Sequence, residues 1–431
     1  MLFDKIFRQG VVFCLNIWIT RYLGPEKFGL LSYATAFASL FLAVANLGLF
    51  GIVTRDLVKY PESRHEIIGT ALLLKIAGGF SAVALAVTAI HFLRPADNFS
   101  LYLVVIMSSG MIFQAFEVFD FWFLSQLQSR NSFWANLPGF ILMLCVKIML
   151  IVNEAPLAAF AWAVLFDIVL AAMGFLYMYH RTTGELLRLH FSPMWARKLL
   201  KDSFPLVFAG LMMMIYTRID QVMLGQMAGD GVVGIYSAAA KIAEFWYVFP
   251  IMLLQSLYPG AIAAKSISSS AYTNYLQRLF DSMAVASWLF ALPLCLFADS
   301  VITLLYGKAY VGAATVLSIY VMSGVFAMMG HVREYWVAVE NCTRLSLYST
   351  SLGAIVNVVL NLLLIPRYGA VGAAYATLLA IVAGSYGINL LSMQTRHIFM
   401  MQTKAILLFP AVQRLRKQGV LRKPEIADLN C

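Results

Sequence analysis

Charge is what this sequence most lacks: Asp, Glu, Lys and Arg make up 12% of its 431 residues, against about 25% in an ordinary soluble domain. With 61% hydrophobic residues, no water-soluble packing could hide its apolar surface, and the fold class is all-α integral membrane. Paired cysteines are also missing. Cys14, Cys145, Cys295, Cys342 and Cys431 stand singly, with no CxxC, so neither a disulfide framework nor a metal site is expected. The six histidines are dispersed, with no HExxH or HxxxH pair to hold a metal on one helix face. Lys5 and Arg8 precede an apolar stretch as in a signal peptide, but no small-x-small cleavage site follows before Gly24 and Pro25, and a retained first helix is expected. The connectors on one side of the apolar runs are only a few residues long. They leave no room for an extramembrane catalytic domain, so the chain is not expected to be an enzyme.

What the sequence has instead is a series of apolar runs. A span needs about 20 such residues, because the hydrocarbon core is roughly 30 Å thick and a helix rises 1.5 Å per residue. Runs and breakers place spans near residues 9–22, 28–52, 67–93, 100–127, 133–152, 157–179, 203–227, 234–258, 282–305, 314–336, 346–365 and 370–393. The net charge of +10 then becomes a topology signal rather than a nucleic-acid footprint. Of the 31 Lys and Arg, 21 lie in alternate connectors and the two tails, against five on the other side. That bias predicts a multi-pass protein with both termini cytoplasmic.

The longest internal connector divides the spans six and six: an N-lobe over 1–180, a cytoplasmic linker over 181–202, a C-lobe over 203–393 and a basic tail over 394–431. In the linker, Ser192 can cap a helix starting at Pro193, whose Met194, Trp195, Leu199 and Leu200 alternate with Arg197, Lys198 and Lys201, the pattern of an interfacial helix. Arg414, Arg416, Lys417, Arg422 and Lys423 would draw the tail to anionic lipid. Tyr22–Ala34 (YLGPEKFGLLSYA) aligns without gaps to Met227–Ala239 (MAGDGVVGIYSAA), sharing glycine at 24/229 and 29/234. Similar hairpins recur at Tyr306–Thr315 and Tyr368–Thr377. Tight turns and close backbone approach account for these glycines. A repeat in one orientation implies two lobes about an axis along the membrane normal, with a central cavity between them.

Charges inside spans cost roughly 2.5–3.5 kcal/mol each and call for a physical reason. The basic candidates for a wet cavity are Lys75, Arg218 and Arg333, with Lys147 and Lys241 close enough to span ends to snorkel. The acidic candidates for ion coupling are Glu117, Asp120, Asp167, Asp220 and Glu244. Glu117 and Asp120 share a helix face, where two carboxylates repel unless a proton or cation joins them. Lys241 and Glu244 have the spacing of an internal pair. Arg218 and Asp220 point in directions about 200° apart. Asp167 stands alone in its span, with proton relay and structural hydrogen bonding equally open. Asn357 and Asn361 read as interhelical glue.

Three stretches, RYLGPEKFGLLSYA (Arg21–Ala34), RIDQVMLGQMAGDGVVGIYSAAAKIAEF (Arg218–Phe245) and NVVLNLLLIPRYGAVGAAYATLL (Asn357–Leu379), resemble the bacterial polysaccharide transporters of the O-antigen flippase type. That family shares a superfamily with multidrug antiporters and the peptidoglycan-precursor flippase. The resemblance covers nearly the whole chain, though less sequence precedes Tyr22 here than in the family pattern. It implies a MATE-like fold of two six-helix lobes around an alternately opening cavity in the bacterial cytoplasmic (inner) membrane. The implied activity is movement of an undecaprenyl-pyrophosphate-linked oligosaccharide from inner to outer leaflet, coupled to a proton or sodium gradient without a cofactor. Implied partners are the lipid-linked oligosaccharide, membrane lipids, a polysaccharide polymerase and a chain-length regulator, and no nucleic acid. A multidrug or metabolite antiporter on the same fold is the alternative, ahead of a membrane-embedded glycan polymerase.

Overall fold

A computed structural model describes residues 2–185 and 188–418; Arg422, Lys423 and Cys431 lie outside the described residues. Every regular element among the described residues is helical: α1 (Leu2–Leu40), α2 (Leu42–Asn46), α3 (Leu49–Lys59), α4 (Arg64–Leu93), α5 (Asn98–Phe113), α6 (Val118–Ser125), α7 (Ser129–Val152), α8 (Leu157–Thr183), α9 (Pro193–Met227), α10 (Asp230–Phe245), α11 (Val248–Ile267), α12 (Ser269–Leu296), α13 (Ala298–Tyr306), α14 (Ala313–Val339), α15 (Thr343–Ile381), α16 (Arg396–Ile406) and α17 (Leu408–Gln418). By length and composition, nine described helical stretches could each cross a membrane, and a bent pair over residues 8–59 makes a further candidate. The stretch Arg344–Leu390 is interrupted at Gly369 and the bent pair at Gly24, where the backbone leaves helical geometry. Divided at these two glycines, the nine stretches and the bent pair become twelve helical segments that overlap the twelve expected spans, while the 44° bend of the pair falls separately between Leu40 and Leu42.

The breaks are the hairpin glycines of the internal repeat. Gly24 and its counterpart Gly229 have φ of 71° and 92°, and Gly307 and Gly369 have 88° and 54°, all in the region that strains side chains with a Cβ. Gly29 and Gly234 serve close approach instead. A Cβ on Gly29 would lie 1.8 Å from the carbonyl oxygen of Asp230, and one on Gly234 would lie 2.0 Å from that of Pro25. In the repeat, residue 25 corresponds to 230 and 29 to 234. The two copies therefore touch reciprocally, as a two-fold relation between them requires.

The chain forms two compact units: a central unit, Leu30–Val222, and a flanking unit, Met1–Gly29 with Met223–Cys431. The division falls inside α1 and α9 rather than in the 181–202 connector. The first span belongs with the second half of the chain because its side chains are held there. Phe13 stacks on Phe245 with ring centroids 4.0 Å apart, and Tyr310 Oη donates to the Thr20 carbonyl at 2.8 Å. The expected interfacial helix is not a separate element, because α9 runs unbroken through Pro205. Its first turns enter the core of the central unit. Trp195 and Leu199 pack among Leu49, Val53, Ile67, Phe119, Phe123 and Tyr179, while Lys198 Nζ lies 2.9 Å from the buried carboxylate of Asp56. The flanking unit has its own core around Trp246, Leu254, Phe280, Met283, Met328 and Trp336. The tail helix α17 closes onto this unit, where Arg414 grips the buried carboxylate of Asp281 through two nitrogens at 2.7 and 2.8 Å. That arginine is spent on an internal ion pair and not on lipid.

Candidate functional site

The central unit brings three of the sequence candidates together. Between α5 and α6 the helix tightens into a 3-10 turn, Gln114–Glu117, a feature that in mid-helix often marks a functional hinge. The turn aims Glu117 at Lys75 on α4, whose Nζ lies 3.2 Å from Glu117 Oε2. Lys75 is sealed in, 1% exposed, with its ammonium 5.1 Å from the centre of the Phe121 ring. Glu117 is 44% exposed and looks into a cavity of about 420 Å³ that it shares with Asp120, Gln114, Asn136, Phe50 and Phe121.

Asp120 gives the cavity an unbalanced charge. Its neighbour is Ser132, yet neither Asp120 Oδ1 nor Ser132 Oγ has a hydrogen-bond partner at bonding geometry, although both are buried. The cluster thus holds one ammonium against two carboxylates, one of them with an unsatisfied oxygen. Such a group in hydrocarbon surroundings favours a proton or a monovalent cation. Gln114 and Asn136 offer further oxygen donors on the wall.

Asp167 is not alone: Lys147 Nζ on α7 reaches its Oδ2 on α8 at 2.8 Å. Lys147 is therefore tied within the bundle rather than extended to an interface. On α9, Asp220 is buried while Arg218 is half-buried, and Arg218 makes no ion pair among the described residues.

In the flanking unit the candidates are bound into the helix packing. Arg333 is 2% exposed. It donates to the Gly384 carbonyl at 2.8 Å, to Ser349 Oγ at 2.7 Å and to Glu334 at 2.5 Å. Gly384 lies in a π-turn, Val382–Tyr386, that continues α15. Arg333 thus ties α14 to α15 and its turn. Lys241 donates to Asn16 Oδ1 at 3.2 Å and sits 4.7 Å from the centre of the Phe28 ring, while Glu244 accepts from Tyr320 Oη at 3.2 Å. Asn361 donates to Asn357 within α15 at 2.9 Å, and both are buried.

A family model described as "Polysaccharide biosynthesis protein" matches residues 4–265, more than half of the chain, including the whole Lys75–Glu117–Asp120 cluster. The chain belongs to the polysaccharide biosynthesis protein family.

Two curated relatives of this family member come from Haloferax volcanii. "Probable flippase AglR" is 26% identical over 178 residues, covering 40% of the chain and 37% of the relative. "Probable low-salt glycan biosynthesis flippase Agl15" is 22% identical over 169 residues, covering 38% and 35%. The chain therefore spans little more than a third of the length of each relative. Among solved structures, an inward-facing multidrug resistance MATE family transporter of the MOP superfamily matches with a TM-score of 0.72 and 16% identity, over 92% of this chain and 96% of the other. The lipid II flippase MurJ matches at 0.65 and 13%, over 96% and 94%. At these identities the likeness concerns fold: the polysaccharide biosynthesis family member has the all-helical fold of MATE transporters. The relatives and solved structures it resembles are themselves named as flippases and transporters.

Sequence reasoning missed the polar wall residues Gln114 and Asn136 of this family member, and the structural partners Asp56 and Asp281. Carboxylates so near span ends read as solvated connectors. The signal for Asp281 was its place among the apolar residues Leu279, Phe280, Met283 and Ala284.

Proposed function

We propose that this protein is a flippase that moves an undecaprenyl-pyrophosphate-linked oligosaccharide, an O-antigen or other surface-polysaccharide repeat unit, between leaflets of a bacterial inner membrane by alternating access. The family match carries this reading. The membership, the two relatives named as flippases and the twelve helical segments support it together.

The coupling ion acts at Glu117 and Asp120. A proton or sodium ion taken up there neutralises Glu117 and loosens its hold on Lys75. Because the 3-10 turn connects α5 to α6, that release changes the packing of α4 against the turn and biases the unit between two states. Of the basic candidates, Arg218 has the freest guanidinium and is the first choice to meet the pyrophosphate, which it can grip through two parallel hydrogen bonds. Polymerase and chain-length regulator would act on the product after release.

The test is surface-polysaccharide display in a strain lacking its own flippase, followed by flipping in vesicles with and without an imposed proton or sodium gradient. Restored display and gradient-dependent flipping that falls about tenfold or more in Glu117→Gln and Asp120→Asn support the reading. Flipping indifferent to both gradients removes the coupling role. Drug resistance without polysaccharide export turns the assignment to an antiporter.

A further inference from the structure

A second depression in the central unit lies away from the carboxylate cavity, on the exposed side of α7 and α8. It is a groove of about 930 Å³. Its floor exists because the helices nearly touch: a Cβ on Gly174 would lie 2.0 Å from the Ala135 carbonyl oxygen, and one on Gly139 would lie 3.1 Å from Leu170 Cβ. Pro138 lies in this wall and has no N–H to give the Trp134 carbonyl.

The two ends of the groove differ in chemistry. At one end stand Arg130 and Arg181, both exposed, with Asn131, Thr182 and the half-exposed rings of Trp134 and Tyr177. From there the walls are apolar, through Leu142, Leu170 and Met173. No carboxylate lines the groove, and neither arginine has an ion-pair partner among the described residues. Arg130 stands in the first turn of α7, where the helix dipole disfavours a cation and no side chain caps the exposed amides. An anion is what this end is short of.

We propose that the groove binds one anionic phospholipid of the adjoining leaflet. Its headgroup phosphate lies between Arg130 and Arg181, and one acyl chain runs over Gly139 and Leu170 toward Leu142. The dimensions fit this occupant. From Arg181 to Leu170 is eleven residues of helix, roughly 16 Å at 1.5 Å per residue, about half of a 30 Å hydrocarbon core. The seat is one leaflet deep, the reach of an acyl chain and far short of a long polyprenyl chain. The aromatic rings beside the arginines occupy the level at which Trp and Tyr meet headgroups. Two arginines near a surface each attract an anionic lipid by an amount that together makes a preference of about tenfold or more.

The full chain, purified in detergent and stripped of lipid, would be offered equal amounts of phosphatidylglycerol and phosphatidylcholine. Retained lipids would be counted by native mass spectrometry. Wild-type protein is expected to keep phosphatidylglycerol preferentially. The double variant Arg130→Gln/Arg181→Gln should lose about tenfold of that preference, the charge-preserving Arg130→Lys/Arg181→Lys should keep most of it, and Met173→Trp should weaken retention with both arginines intact. Unchanged preference in the double Gln variant overturns the proposal. So does a double Gln variant that keeps phosphatidylglycerol but loses added undecaprenyl phosphate, because the groove then serves cargo. All these positions are exposed, and equal melting temperatures would separate lost binding from lost folding.

Discussion

The two units use intramembrane charge in opposite ways. In the flanking unit Arg333 is buried and shares its guanidinium among three acceptors on two helices, Gly384, Ser349 and Glu334, although its Nε has no partner among the described residues and Glu334 is 39% exposed. In the central unit Lys75 is just as buried, but its partner Glu117 faces a cavity, and Asp120 beside it keeps an unsatisfied oxygen. A buried charge shared among several acceptors on neighbouring helices holds those helices together. One whose partner can be reached from a cavity can be switched.

The largest expected effect tests that contrast from the structural side. Arg333→Ala strips donors from a buried carbonyl and hydroxyl and is expected to destabilise the protein by about 3 kcal/mol or more, read as a fall in melting temperature and in folded yield. Transport per folded molecule should fall less than yield. A variant that melts normally but cannot transport would move Arg333 into the working machinery.

Next comes the converse in the central unit. Glu117→Gln and Asp120→Asn should each cut gradient-driven flipping by about tenfold to a hundredfold, the range of a lost proton-handling group, with Asp120→Asn melting near wild type and Glu117→Gln losing the stability of its pair with Lys75. If both variants melt far below wild type, the two units do not differ as argued. A double-mutant cycle of Lys75→Met with Glu117→Gln sharpens the point. The pair should couple by about 1–3 kcal/mol in stability, because Lys75→Met leaves a carboxylate that still reaches the cavity. Additive losses would mean the two side chains do not interact.

The smallest effect concerns a charge outside the spans. Burial raises the Asp97 carboxyl, but hydrogen bonds from the Ser100 side chain and amide and the Arg94 guanidinium outweigh it, so its pKa lies below the ordinary carboxylate value. A lowered pKa stabilises the folded state above the ordinary value, and that contribution is lost as pH falls through the lowered one. Asp97→Asn should therefore flatten the acid side of the stability profile, and the lost cap in Asp97→Ala should cost about 1 kcal/mol. Equal acid profiles for wild type and Asp97→Asn would show that the carboxylate contributes nothing.

The hairpin glycines are legible in sequence because their spacing repeats. Gly24 and Gly229 fall at matching positions, and a glycine followed by small residues between two apolar runs marks a tight turn with closely packed helices. The identities of Lys75, Glu117 and Asp120 are legible too, since a charge in an apolar run stands out. Their assembly is only partly legible. Glu117 and Asp120 share a helical neighbourhood, but Lys75 lies 42 residues before Glu117, and no periodicity reports which helix faces which. Asp167 looks isolated in sequence for the same reason, as its partner Lys147 is on the preceding helix. The linker misleads because Trp195 and Leu199 have the alternation of a surface helix, and only packing shows that they are buried.

By itself the sequence determined that this is a helical membrane protein with repeated halves, because apolar length and glycine spacing are local properties set by the bilayer's thickness and by backbone sterics. Only the tertiary structure decided which charges are locked and which are reachable, that the first span packs with the second half, and that Arg130 and Arg181 share one groove. Those depend on distances between residues far apart in the chain, and in a low-dielectric interior a few ångströms separate a neutralised ion pair from a charge still seeking a partner.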